Sequence, residues 1–328
     1  MSADPSDMLG DVLAQPDQVE DALWRVEAAG IPKRGLPGGL VVAGMGGSAI
    51  GGDLAAAAIG DRATAPVRVN RGYSLPPWLG PDALILFASY SGDTEETLAA
   101  YDEARGLDAP RVALTTGGGL AARAREDGIP VIGIPSGMQP RAAVVYMTVA
   151  ALECAAACGA SPSLREEIEA AAGTLREVAG DEAGVRALAE QLRGSTAVIY
   201  GAGSTAAPAR RWKTQLNENA KVAAFASELP EADHNEVCGE GSGLAAVFLD
   251  SDDLDPRLRR RLDATEELLG EGGVSTHRVS ARGAAPVERV MSLVLLGDLV
   301  SVHLAHARGV DPTPVEAIDR LKARLSDG

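Results

Sequence analysis

Gly39-Leu40-Val41-Val42-Ala43-Gly44-Met45-Gly46-Gly47-Ser48 is a short apolar run that passes directly into glycines and a serine. It shows no alternation of apolar and polar residues, so the strand it predicts is covered on both faces, as strands of parallel sheets are. The glycines predict a tight turn and the start of a helix. A second run, residues 196–200, leads into Gly201-Ala202-Gly203-Ser204-Thr205 in the same way. Two such beginnings predict two similar α/β units in tandem.

The surrounding sequence fits that reading. Strand-like runs at 66–70, 83–88, 111–115 and 130–134 are separated by helical stretches, notably 94–105 and 120–126, and a long apolar helix over 141–158 closes the first unit. Strands alternating with helices make a parallel sheet covered by helices on both sides, a doubly wound α/β arrangement. Ahead of it, residues 8–29 have helical periodicity broken by Pro16, and 32–39 read as a loop. The charged stretch 161–193 predicts one or two connecting helices. Strand candidates at 222–227, 245–250 and 275–280 follow, then helices over 287–308 and 314–325. The predicted units are 1–158 and 159–328.

Composition narrows the function. The chain has 328 residues, 46% hydrophobic and 3% aromatic, with a formal charge of −16. Such a charge repels nucleic acid and anionic membranes. A phosphorylated ligand would feel the same repulsion, so any anion site must be locally positive. No uninterrupted apolar run reaches about 18 residues, and the first residues are acidic, which predicts neither a membrane span nor a signal peptide. Cys154 and Cys158 lie four apart on a helical stretch and read as apolar filler in a reduced compartment, the cytoplasm. The four histidines lack the spacing of a structural zinc site, and His303 and His306 suit an ordinary helix.

Ligands of parallel sheets bind where strands end and helices begin. Small hydroxyl residues stand at three such places: Ser48, the segment Ser89-Tyr90-Ser91-Gly92-Asp93-Thr94, and Ser136-Gly137. Free helix N–H groups and short hydroxyls hold a phosphate without any lysine. The same residues also suit plain helix caps, with Ser91 or Asp93 ahead of Glu95 and Glu96. Gly44-Met45-Gly46-Gly47-Ser48-Ala49 also satisfies the loose G-x-G-x-x-A dinucleotide pattern, with Asn70-Arg71 closing the next strand where a 2′-phosphate would be read. No Walker signature is present.

The densest polar run is Trp212-Lys213-Thr214-Gln215-Leu216-Asn217-Glu218-Asn219-Ala220-Lys221, followed by Glu228 to Glu236. Here, and at Gly44–Ser48, Ser89–Thr97, Gln139-Pro140-Arg141-Ala142, His234-Asn235-Glu236, 297–302 and 309–322, the chain resembles the sugar isomerase (SIS) superfamily, specifically the bifunctional phosphoglucose/phosphomannose isomerases. The matches span both halves in order. The resemblance implies two tandem SIS domains and a homodimer with sites between subunits. It implies a small sugar phosphate as ligand, and no cofactor or metal. It also implies roles. Glu218 is the base that moves a proton between C1 and C2 through a cis-enediol. Arg141 stabilises the enediolate, and His234, from the neighbouring subunit, and Lys322 assist ring opening. Gly46, Gly47, Ser48, Ser89, Ser91 and Thr94 hold the phosphate.

The implied reaction interconverts glucose 6-phosphate, and mannose 6-phosphate, with fructose 6-phosphate. The competing reading is a non-catalytic SIS protein that binds or senses a sugar phosphate, which would need only the hydroxyl loops. The chain departs from the family around the histidine loop, where aromatics are fewer and Glu240 follows Gly239. The turn Asp311-Pro312-Thr313-Pro314 is expected to line the space that the C2 epimer needs.

Overall fold

The structure is a computed structural model and describes residues 4–239 and 241–326, so Glu240 lies outside the described residues. The first sheet contains β1 (Gly39–Gly44), β2 (Val67–Asn70), β3 (Ala83–Ala88), β4 (Arg111–Thr115) and β5 (Val131–Gly133), in the order β2-β1-β3-β4-β5. Every pairing is parallel. All six residues of β1 and of β3 are buried, the signature of strands covered on both faces. Register pairs Gly44 with Ala88. The turns after β1 and β3 therefore leave the sheet side by side.

The second sheet contains β6 (Thr196–Ala202), β7 (Ala224–Leu229), β8 (Leu244–Asp250) and β9 (Ser275–Ser280), in the order β7-β6-β8-β9, again all parallel. Its order repeats that of β2-β1-β3-β4, so the two halves share one topology. The glycines match as well: Gly46 and Gly203 both adopt φ +50°, a left-handed conformation that glycine reaches at no steric cost. The second sheet has no counterpart of β5 among the described residues.

Helices cover these sheets. The break expected at Pro16 takes the form of a junction between two helices, with Pro16 in the first turn of the second. α1 (Met8–Leu13) ends at Ala14, and α2 (Gln15–Ala29) begins with Pro16 where its missing N–H costs nothing. α3 (Gly46–Ile59), α4 (Glu95–Ala104), α5 (Gly118–Glu126) and α6 (Val144–Ala157) belong to the first sheet, with a 3₁₀ turn at Pro140–Ala143 leading into α6. α7 (Arg165–Ala179) and α8 (Glu182–Gln191) form the charged connection. α9 (Ala206–Glu218), α10 (Pro256–Glu271) and α11 (Pro286–Arg308) belong to the second sheet, and α12 (Glu316–Ser326) ends the chain.

One apolar cluster runs from β1 through α3, α6 and α7 to α9, α11 and β6. Smaller clusters fill the outer faces of each sheet. α11 and the 140–157 stretch are long and apolar enough to cross a membrane, yet their most apolar 18 residues are 89% and 83% buried inside the protein. They are core helices. Each fully buried leucine among them contributes about 1.5–3 kcal/mol.

Candidate active site

At the ends of β1 and β3 two helices begin without side-chain caps. The N-cap of α3 is Met45 and that of α4 is Thr94, and neither makes a capping hydrogen bond. Orphan N–H groups at such starts carry partial positive charge. The capping alternative does not hold here. Ser91 is not the N-cap of α4, and Asp93 accepts instead from the Gly119 N–H at 2.7 Å.

The hydroxyls gather around these starts. Ser48 lies inside the first turn of α3, and its Oγ accepts from the Tyr90 N–H at 3.2 Å. Ser89 Oγ accepts from Gly92 N–H at 3.1 Å and shares a 2.8 Å hydrogen bond with Thr94 Oγ1. Ser91 Oγ accepts from Asp93 N–H at 3.2 Å, on an exposed turn. Arg71, the group suited to a 2′-phosphate, is instead paired with Asp53 of α3.

Arg141 packs against this cradle. A Cβ on Gly47 would lie 3.3 Å from Arg141 Cα and 3.4 Å from the Pro140 carbonyl, so a side chain there would push this backbone away by a few tenths of an ångström. The Arg141 side chain is 4% exposed and nearly all its donors are assigned. Nε donates to Asn219 Oδ1 at 2.6 Å. Nη2 donates to the carbonyls of Pro312 at 2.8 Å and Thr313 at 2.9 Å. Nη1, with only a long 3.4 Å contact to Gln139 Oε1, faces Glu218 Oε2 at 3.6 Å. Burial lowers the Arg141 guanidinium from its ordinary value, opposed by the Glu218 carboxylate.

Glu218 is the last residue of α9 and its side chain is 30% exposed. The next residues bind the terminal turn to the site. Lys221, at φ +55°, donates to the carbonyls of Pro312 at 3.0 Å and Pro314 at 2.6 Å, and also to that of Glu218. Burial, then the nearby Arg141, lowers its ammonium. Thr313 Oγ1 is buried without a protein partner, beside the carbonyls that grip Arg141. Asn219 and Thr313 belong to the quoted motifs, but they lie 78 and 172 residues away from Arg141 in sequence; no local pattern reveals the pairing.

Of the other two predicted catalytic residues, His234 lies apart from this pair along the chain's architecture. α9 runs back from the finishing edge of the second sheet to its starting edge, bringing Glu218 there. His234 follows β7, in a 3₁₀ turn at Glu231–His234, at the finishing edge. A six-residue strand spans about 20 Å, so within one chain Glu218 and His234 sit at opposite edges. The turn is firmly seated: Ala232 is buried, and Asp233 accepts from Thr265 Oγ1 at 2.7 Å and from Arg261 at 3.0 Å. His234 itself is exposed. Lys322 is exposed on the second turn of α12, which begins just after the turn that contacts Arg141 and Lys221. Ile318, Leu321 and Leu325 on that helix are exposed apolar residues.

Among the described residues, no group of three or more His, Cys, Asp or Glu side chains is placed to hold a metal ion. Cys154 and Cys158 are buried and unpaired, and Cys238 is exposed.

A family model described as the bacterial phospho-glucose isomerase C-terminal SIS domain matches residues 182–325. The chain is 38% identical over 304 residues to a bifunctional phosphoglucose/phosphomannose isomerase of Caldicellulosiruptor bescii, covering 88% of this chain and 89% of the relative. It is 36% identical over 292 residues to the protein of that name from Thermoplasma acidophilum, again covering 88% and 89%. Among solved structures, a hypothetical protein of Thermus thermophilus shares the fold with a TM-score of 0.74 at 18% identity, over 99% of this chain and 91% of that one.

Proposed function

The chain belongs to the bifunctional phosphoglucose/phosphomannose isomerase family, and from that premise we propose how its residues divide the reaction. The protein is an aldose–ketose isomerase that interconverts glucose 6-phosphate and mannose 6-phosphate with fructose 6-phosphate. The observation that carries the assignment is the Arg141 Nη1–Glu218 Oε2 approach of 3.6 Å, beside a helix start built for an anion.

The substrate phosphate rests on the uncapped starts of α3 and α4, against Gly46, Gly47, Ser48, Ser89, Ser91 and Thr94. The open-chain sugar then extends toward Arg141. Glu218 removes the C2 proton of the aldose, electrons move onto the C1 carbonyl oxygen, and Arg141 stabilises the enediolate that forms. Passage of the O2 hydroxyl proton to O1 and return of the carbon-bound proton to C1, as C2 becomes the carbonyl, gives the ketose. Proton transfer by a placed carboxylate contributes about 10²–10⁴-fold. The separation of 3.6 Å suits this, because a tighter ion pair would hold the carboxylate away from carbon.

His234 and Lys322 serve ring opening, at the ring oxygen and the anomeric hydroxyl. Because His234 stands at the far edge of its own sheet from Glu218, we assign it to the site of a second copy in a homodimer. The turn at 311–314 lines the space for the C2 epimer, and Thr313 Oγ1, buried and unpartnered, supports that placement. Residues 1–158 form the phosphate-binding half and 159–328 the half carrying Glu218, His234 and Lys322. Three free cysteines suit a reducing cytoplasm, where we place the enzyme. A binding protein without turnover would have no use for a guanidinium aimed at a carboxylate, which favours catalysis over sensing.

The test is a coupled assay on fructose 6-phosphate and mannose 6-phosphate, with EDTA present, for the wild type and Glu218→Gln. The variant is expected to lose about 10²–10⁴-fold in kcat while still binding substrate. Wild-type binding without turnover, or an active variant, would overturn the assignment.

A further inference from the structure

Arg141 is held from behind by groups buried away from solvent. Arg211 of α9 and Asp298 of α11 form an ion pair, Nη2 to Oδ2 at 2.6 Å, with each side chain 1% exposed. Arg211 Nη2 also donates to the backbone carbonyl of Arg141 at 2.8 Å. Gln15 Nε2, from the start of α2, donates to the same Asp298 oxygen at 2.6 Å. Three residues along α11, Ser301 Oγ accepts from Asn219 Nδ2 at 2.9 Å, and Asn219 Oδ1 holds Arg141 Nε. Asp298 and Ser301 share one face of α11, as residues three apart do. That face therefore fixes Arg141 twice, its peptide through Arg211 and its guanidinium through Asn219.

Stability alone does not explain the two charges. A buried ion pair is commonly replaced by well-packed apolar side chains of similar volume at little or no cost. What apolar side chains cannot supply is a donor to the Arg141 carbonyl. Resting on the isomerase reading above, we propose that Arg211 and Asp298 are positioning residues of the isomerisation: they lock the Arg141 peptide so that Nη1 meets the enediolate oxygen. The phosphate grip at the starts of α3 and α4 meets Arg141 at its Cα and N, through Gly47, and not at the carbonyl that Arg211 holds. Loosening Arg141 therefore weakens the transition state and spares the ground state, and a misplacement of about 1 Å costs on the order of 10²-fold.

The experiment uses the full-length double variant Arg211→Met/Asp298→Leu, with fructose 6-phosphate turnover, inhibition by inorganic phosphate, and inhibition by a sugar-phosphate hydroxamate that mimics the enediolate. In a variant that unfolds cooperatively, kcat is expected to fall about 10–100-fold with KM within about threefold. The phosphate inhibition constant should stay within about twofold, while that of the hydroxamate rises at least about tenfold. A folded variant with kcat within about threefold of wild type overturns the proposal. So does a loss of phosphate and hydroxamate affinity by the same factor, which would mean general loosening. Should the double variant fail to fold, Asp298→Asn, which keeps the shape and removes the charge that holds Arg211, is read by the same criteria, with an expected kcat loss of about tenfold. The wild type separates the two claims: a wild type without turnover sinks the isomerase reading, and an active wild type beside an equally active folded variant sinks only the positioning role.

Discussion

Arg141→Lys preserves the charge and removes the fork. In the native site Nε is committed to Asn219, Nη2 to two carbonyls of the 312–313 turn, and Nη1 alone looks toward Glu218. A lysine offers three donors on a single atom, and that atom cannot stand at all three places. If the ammonium settles among the carbonyls of Pro312 and Thr313, the enediolate loses its fixed donor, which costs about 2.7–4 kcal/mol, or 10²–10³ in kcat. If it turns toward Glu218, two buried carbonyls and the Asn219 amide oxygen lose a charged donor, at about 1.5–3 kcal/mol for each such bond. Activity and stability therefore trade against each other, but the first arrangement is favoured because it satisfies more buried acceptors. The expected variant is folded, retains KM for fructose 6-phosphate within a few-fold, and has kcat reduced by about 10²–10³. The assay is fructose 6-phosphate turnover coupled to a dehydrogenase, beside thermal unfolding of the same sample. A variant with kcat within about tenfold of wild type, whatever its melting temperature, would refute the reasoning, because the guanidinium would then be a structural clamp only.

Two further outcomes can be checked directly. Glu218→Gln and His234→Ala homodimers should each be nearly inactive, yet mixing them with subunit exchange should restore about a quarter of wild-type activity, since half the dimers then carry one intact site in two; no recovery would place both residues in one subunit's site. Tyr101, buried and donating to Asp127 at 2.8 Å, has its hydroxyl pushed up to about 12, chiefly by burial. The folded state thus prefers the neutral phenol, so stability from this group is intact below about pH 10 and is lost as pH rises toward about 12; Tyr101→Phe should flatten that alkaline decline in unfolding experiments.

Much of the fold is legible along the chain. The strand candidates at 83–88, 111–115 and 275–280 are strands over those same residues, and Asp82 and Pro110 stand just ahead of the first two. The run expected at 222–227 is shifted two residues on, to Ala224–Leu229, because Lys221 at φ +55° bends the chain ahead of it. α10 is not among the predicted helices, although Asp255-Pro256 is a helix-start signal and Asp255 does accept from the Arg257 N–H at 2.8 Å. Within the site, Arg141 and Glu218 stand out by motif, but what aims them does not. Asp298 lies 87 residues from Arg211 in an apolar helix, and a lone acid there carries no partner in its local pattern. Its role exists only once α9 and α11 are packed.

The uncapped starts of α3 and α4 have a kinetic corollary. A chain of formal charge −16 repels an approaching dianion most strongly once it is within a screening length, about 10 Å at 0.1 M salt. Peptide dipoles and hydroxyls take over only at close range. Added salt should therefore hasten capture of the sugar phosphate and leave its escape nearly unchanged, the reverse of what a lysine-lined pocket does. An acidic protein that grips anions with neutral groups gains substrate as the medium becomes more saline.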